Sequence, residues 1–331
     1  MRARTHRART DTRVEFDLDA AMVKVLALIE RHELADSTFS TYTNRWAEFE
    51  LWCAANKLTS MPAAPVTVQL FLVQHTGAVL DDEGFVHLVR RASGFDPHLG
   101  AIRWAHRKAG HRTPTGDQSV KALIHTLRTA EQPAAKKARS FRVADLERIY
   151  ANPDVRNYWA FERAWTATNY GFFGCFRGGE TISTRIENLA FDDEGVLVFV
   201  PRAKGDPFGK GEWVGIARRD GEICPVRQLE AWVAGLPDGC EWLFPSSQKH
   251  GHPMSLATLS HDIAVICGYG FDDVSGFSTH SLRRGFCTSA AEAGRSLLSI
   301  SLKARHKSVA TSLGYIDTAP GQAAQVIAAA L

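Results

Sequence analysis

The sequence predicts a mainly α protein with a small β component, divided into an all-helical amino-terminal domain and a mixed α/β carboxy-terminal one. Three observations carry this. Apolar residues recur at spacings of three and four along most of the chain, the period of a helix with one buried face. Two β-branched runs, 196–200 and 213–216, flank the Gly-rich stretch PRAKGDPFGKGE and predict a single hairpin. Between the halves lies EQPAAKKARSF, with the Pro, Ala and Lys content of an interdomain connection. At 331 residues, 45% hydrophobic and 23% charged, the chain can bury the cores of two globular domains.

Residues 1–19 begin MRARTHRARTDTR and read as a flexible basic tail, too rich in Arg and too poor in apolar residues for a secretory signal. The helical domain is placed at 20–133. Leu18, Met22, Val25 and Ile29 mark its first helix. Phe39, Tyr42, Trp46, Phe49 and Trp52 mark a second, whose aromatic stripe is expected to face the core and whose start Asp36 or Ser37 can cap. Residues 66–80 read as a third helix after Pro62 and Pro65. Leu99, Ile102, Ala105 and His106 mark a fourth ending at Gly110, and Val120, Leu123, Ile124 and Leu127 a fifth. A linker is placed at 134–141 and the second domain at 142–331. That domain is expected to hold helices at 143–150, 158–170, 224–233, 256–266 and 278–293, the last capped by Ser278 and stopped by Gly294. Its end, GQAAQVIAAAL, predicts a short apolar tail helix with little nearby to bury against.

Net charge is only +3, but the charge is unevenly placed. From 101 to 140, nine basic residues (Arg103, Arg107, Lys108, Arg112, Lys121, Arg128, Lys136, Lys137, Arg139) face Asp117 and Glu131, a local +7 of the kind that meets phosphates. From 277 to 310, six more (Arg283, Arg284, Arg295, Lys303, Arg305, Lys307) face Glu292 alone. The six cysteines show no CxxC spacing, which suits buried thiols in a reducing compartment. His250 and His252 have no thiol nearby, and no metal site is expected. The most apolar run, 66–80, is interrupted by Gln69, Gln74 and His75 and is too short to cross a bilayer. KGDPFGKG lacks the spacing and the hydroxyl residue of a nucleotide phosphate loop.

Chemistry concentrates in six positions: Arg177 within FRGGE, Lys204 within RAKG, His280 and Arg283 within HSLRR, and His306 and Tyr315 within RHKSVATSLGY. Arg283 precedes His306 by 23 residues, and Tyr315 follows it by nine. This ordered set resembles the active site of the tyrosine recombinases, the phage-integrase family that includes Cre-like enzymes. LGAIRWAHRKAG in the first half is similar to the family's helical core-binding domain, so the resemblance covers the chain from about residue 20 onward. It implies a SAM-like core-binding domain followed by a tyrosine-recombinase catalytic domain. Gly178 and Arg305 depart from the family pattern, Arg305 standing where glycine usually precedes the histidine.

Elementary chemistry agrees with the roles the family implies. Attack on a phosphodiester loads charge onto its non-bridging oxygens, so preorganised cationic donors accelerate it. Arg177 and Arg283 offer planar forks of N–H donors, and His280 and His306 add more. Tyr315 is the expected nucleophile, Lys204 the general acid for the leaving 5′-oxygen, and Glu180 an orienting group. Arg103, Arg107, Lys108, Arg112, Lys136, Lys137, Arg139, Arg284, Arg305 and Lys307 are expected to contact DNA. The resemblance implies a site-specific DNA recombinase working through a 3′-phosphotyrosine, without metal, ATP or other cofactor. It further implies double-stranded DNA with inverted half-sites as partner, a dimer on each site, a tetramer in the synapse, and a cytoplasmic setting. A type IB topoisomerase, a telomere resolvase and a catalytically silent DNA-binding protein are the alternatives.

Overall fold

The structure, a computed structural model, describes residues 36–130, 138–152, 159–201 and 210–316. It divides into two compact units, Met1–Ala135 and Lys136–Leu331.

In the first unit, helix α1 (Asp36–Ala55) carries the aromatic stripe. Phe49 is fully buried, and Trp46 and Trp52 pack against the same core, so the stripe is mainly a core face. Phe39 is nearly half exposed but meets Trp104 edge-on at 5.7 Å. Helix α2 (Pro65–Thr76) stops four residues short of the expected 66–80 span. Gly77 takes a left-handed conformation (φ 62°) that terminates the helix. Val79–Leu80 (β1) then pairs with Val86–His87 (β2). Between them Asp81 accepts from the backbone amides of Glu83 and Phe85, so a tight turn replaces the last helical turn.

Helices α3 (Asp96–Lys108) and α4 (Gln118–Ala130) follow, both where apolar spacing places them. Buried His106 locks α3 in place, with Nδ1–H donating to the Ile102 carbonyl and Nε2 accepting from the Ala63 amide. The helix expected from Leu18 to Ile29 lies outside the described residues.

The second unit is built around α6 (Trp159–Phe173), which follows α5 (Val143–Tyr150). Its Ala164, Trp165, Ala167, Tyr170 and Phe172 are buried together with Thr166, Thr168 and Asn169, the all-round burial of a central helix. Short α7 (Gly178–Ile182) leads into a three-stranded antiparallel sheet of β3 (Leu189–Phe191), β4 (Gly195–Val200) and β5 (Glu212–Ala217). The β4–β5 register runs from Gly195 opposite Ala217 to Val200 opposite Glu212, as the hairpin expectation requires. Val196, Val198, Val200, Val214 and Ile216 turn inward. The hairpin tip, 202–209, lies outside the described residues.

Helices α8 (Pro225–Ala234), α9 (Leu256–Gly268) and α10 (Thr279–Glu292) pack on α6. A buried pair joins α6 to α9, with Arg163 donating through Nε and Nη2 to the two Asp262 oxygens, each at 2.9 Å. Residues 138–141 pack within this unit: Phe141 is fully buried, and the Arg139 amide donates to the Gly276 carbonyl. Helix α10 approaches so closely that a Cβ on Gly285 would lie 2.2 Å from the Phe141 carbonyl oxygen. The last described helices are α11 (Leu297–Ala304) and α12 (Val309–Tyr315), capped by Ser296 accepting from the Ser299 amide and Ser308 from the Thr311 amide. The expected tail helix lies outside the described residues. No described helix is long and apolar enough to cross a membrane.

Candidate active site

Four segments converge at one end of the second unit: the turn entering α7, the first half of α10, the α11–α12 turn, and the end of α12. Arg177 precedes α7, where its backbone amide donates to Glu180 Oε2 at 2.8 Å and its Nη1 to Oε1 at 2.7 Å. Glu180 is thus the orienting group for Arg177, and it is itself buried. Burial pushes its carboxyl up. The Arg305 charge, the Arg177 amide and the Arg177 guanidinium outweigh burial and hold it below the ordinary carboxylate range.

Arg283 is 1% exposed and donates through Nη1 to the Cys175 carbonyl at 2.6 Å and through Nη2 to the Ala304 carbonyl. Those two bonds tie α10 to the ends of α6 and α11. Beneath them, the Cys175 and Cys287 thiols lie 4.0 Å apart in a small apolar cluster with Ile300, Ala304 and Ile316.

His306 stands at the α11–α12 turn with Nδ1 2.8 Å from Ser312 Oγ, while its buried Nε2 has no partner among the described residues. Burial, then the charges of Arg283, Arg177 and Arg305, push its pKa down to about 4, so the ring is neutral near pH 7. Three guanidinium groups acting on one imidazole describe a strongly positive cradle. The Tyr315 ring lies against that cradle, with its centroid 4.8 Å from the His306 ring and 5.7 Å from Arg283 Cζ. His280, on the first turn of α10, is exposed. It lines a cavity of about 440 Å³ with Arg284, Thr311, Gly314 and Tyr315.

Arg177, Glu180, Arg283, His306 and Tyr315 are therefore brought together in one subunit, with His280 at the rim. Lys204 lies outside the described residues. The residues expected on DNA divide. Arg103, Arg107, Lys108 and Arg112 are exposed on the first unit, and Lys307 is exposed beside the site. Lys136 and Lys137 lie outside the described residues. Arg139 is exposed, but its guanidinium sits over Phe277 at 4.6 Å and donates to the Asp273 carbonyl at 2.5 Å.

Arg284 and Arg305 are turned inward. Arg284 donates to the Gly314 carbonyl at 3.1 Å, which fixes α12 to α10, and the Arg305 side chain, 4% exposed, binds Glu180 Oε2. One nearby residue carried no role in the sequence reading: Lys303, whose Nζ donates to the Gly215 carbonyl of β5. Burial pushes its pKa down to about 8. Its place in the acid-poor 277–310 stretch was the available signal.

No family model matches the chain. An integrase/recombinase xerD homolog of Selenomonas ruminantium is 28% identical over 290 residues, which span 86% of this chain and 82% of that protein. Among solved structures, the Tn1549 transposon integrase in complex with circular intermediate DNA superposes with a TM-score of 0.60. That match has 12% identity and covers 92% of this chain and 97% of the other. The XerH site-specific recombinase in its post-cleavage complex with palindromic difH substrate gives 0.57 at 15% identity, over 88% and 78% of the two chains. The chain is built on the tyrosine-recombinase fold. The chain is mainly α with a small β component. Its first unit is not all-helical as expected, because apolar but exposed Val79 and Leu80 extend past Gly77 and pair with Val86–His87; its second unit is mixed α/β.

Proposed function

We propose that this protein is a tyrosine-type site-specific DNA recombinase, and that Tyr315 is its nucleophile. The observation that carries the reading is the Tyr315 ring lying in its own subunit against His306 and Arg283, with Arg177 and Glu180 beside them. A guanidinium–imidazole cradle beside an aryl hydroxyl is suited to holding a phosphodiester and attacking it. Double-stranded DNA is the substrate and the cytoplasm the setting. Exposed Arg103, Arg107, Lys108 and Arg112 on the helical domain neutralise its backbone.

In the reaction, the Tyr315 oxygen attacks the scissile phosphorus, its proton leaves toward His280 or solvent, and the phosphorus–5′-oxygen bond breaks. Lys204 supplies the proton taken by the leaving 5′-oxygen. The product is a 3′-phosphotyrosine that keeps the energy of the broken bond, so a 5′-hydroxyl from a second strand reseals it without ATP. Neutral His306 donates a hydrogen bond to a non-bridging oxygen rather than a charge. Arg283 already gives two N–H groups to carbonyls and is closed from solvent, so its remaining donors meet the phosphate when the Tyr315 ring leaves its face. Cation charge is supplied by side chains, and the reaction runs without a metal ion. Inverted half-sites, a dimer on each site and a tetramer exchanging strands through a Holliday junction complete the reading. The core-binding and catalytic domains, 20–133 and 142–331, both meet the duplex.

The test is a suicide half-site assay on DNA from the flanks of the gene, run in EDTA. A protein–DNA adduct that resists denaturation should form with wild type and vanish with Tyr315→Phe, while DNA binding is retained. Absence of the adduct from wild type, or its persistence in the variant, rejects the assignment.

A further inference from the structure

Arg305 breaks a local rule. It occupies the left-handed region (φ 54°, ψ 46°) at the end of α11, where its amide and that of His306 donate back to Leu302 and Ser301. Glycine holds that conformation freely, whereas a side chain costs roughly 1 kcal/mol or more. The retained side chain is long, charged and 4% exposed, with its guanidinium on Glu180 Oε2 and over the Phe176 ring at 5.3 Å.

We infer that Arg305 is a positioning residue that neutralises Glu180 from behind, so that Arg177 can both be oriented by this carboxylate and keep its positive charge for the scissile phosphate. The inference rests on the recombinase reading above. Glu180 grips Arg177 by two bonds, at 2.8 and 2.7 Å, and taken alone that pair is electrically neutral. A neutral pair presents little attraction to an anion gathering charge in a transition state. Arg305 supplies a second guanidinium to the carboxylate on the side away from solvent: its side chain is 4% exposed, that of Arg177 23%. The three groups then sum to one positive charge, displayed at the most accessible member. An exposed lysine could not do this, because the compensating charge must reach a carboxylate that is itself 6% exposed.

The inference separates from direct DNA contact. A residue touching phosphate lowers the salt dependence of binding by about one counterion when removed. Arg305, acting through Glu180 and Arg177, should leave DNA affinity and its salt slope unchanged and slow only the chemical step.

The test measures single-turnover adduct formation, DNA affinity and salt slope for wild type, Arg305→Gly and the double variant Arg305→Gly/Glu180→Gln. Glycine suits the backbone, so the single variant should fold, which its circular dichroism and melting curve will record. Its cleavage rate should fall ten- to a hundredfold with affinity within threefold. The double variant removes the carboxylate charge along with its counter-ion while keeping an acceptor for the Arg177 amide. It should recover at least a third of the lost rate on a logarithmic scale. Wild type must form the adduct first; if it does not, the recombinase reading fails, and the Arg305 argument goes with it. Given an active wild type, three results overturn the inference: a single variant within twofold of wild-type rate, a salt slope reduced by about one, or a double variant no faster than the single.

Discussion

His306 reports the burial and the charge of the cradle together. Its pKa is pushed from 6.5 to about 4, by burial first and then by Arg283, Arg177 and Arg305. That fall is a factor of roughly 300 in proton affinity, about 3 kcal/mol between the two protonation states. This is an upper bound, since the ring is only half-buried and solvent screens part of the guanidinium field. Because the folded-state value is depressed, the unfolded chain binds a proton at this residue that the folded one refuses. The site therefore stabilises the fold fully above pH 6.5, and that contribution is lost as pH falls from there toward 4. Nitrogen-detected NMR of the histidine rings, with His306 assigned by its absence in His306→Gln, should show a ring still neutral at about pH 5.5. Arg177→Gln should move the midpoint upward by removing one of the three charges. A midpoint at or above about 6 in wild type would refute the claim that these guanidinium groups surround the imidazole.

Three further outcomes follow from the packing. Asp262→Ala takes both carboxylate bonds from buried Arg163 and should cost about 3–5 kcal/mol in denaturant unfolding. Arg163→Met/Asp262→Leu should regain most of that loss, and failure to do so would mean the pair is worth more than its desolvation. Gly285→Ala drives a methyl to 2.2 Å from the Phe141 carbonyl oxygen and should cost about 1–3 kcal/mol of stability, read as a lowered melting temperature. Of the described thiols, partly exposed Cys240 should react with a thiol reagent first, ahead of buried Cys53 and Cys267, which burial pushes up to about 11 and about 12. Mass spectrometry of the labelled native protein checks the order.

Periodicity made α1, α3, α4, α5 and α9 legible from the spacing of their apolar residues, and Gly110 and Gly294 marked where α3 and α10 give out. The sheet was legible as one hairpin, since Val196, Val198 and Val200 alternate inward. β3 was missed because three residues, two of them exposed, carry no alternation to read. The 66–80 run looked helical to its end because Val79 and Leu80 are apolar, yet both are exposed and the backbone of Gly77 decides the stop. α11 and α12 are too short for a periodic signal, though Ser296 and Ser308 stood three residues ahead of their capped partners, Ser299 and Thr311.

At the site, residue types and spacings named the converging groups. What they could not convey is direction. Arg284 and Lys307 look alike in a charge count, yet Arg284 points inward to Gly314 while Lys307 is exposed. Arg305, expected to contact DNA, is instead buried against a carboxylate 125 positions earlier in the chain. Only the folded chain brings those two together.

The helix bearing Tyr315 is anchored by the small cluster of Cys175, Cys287, Ile300, Ala304 and Ile316, apart from the large core around α6. With only this small cluster and the bonds from Arg283, Arg284 and Arg305 to hold it, α11–α12 should open more readily than buried α6. On the proposed mechanism, esterification of the Tyr315 hydroxyl to a strand end would let this segment shift with the nucleic acid while α6, α9 and the sheet stay folded. Amide hydrogen exchange in α12 should accordingly outpace that in α6, and the gap should widen on covalent capture.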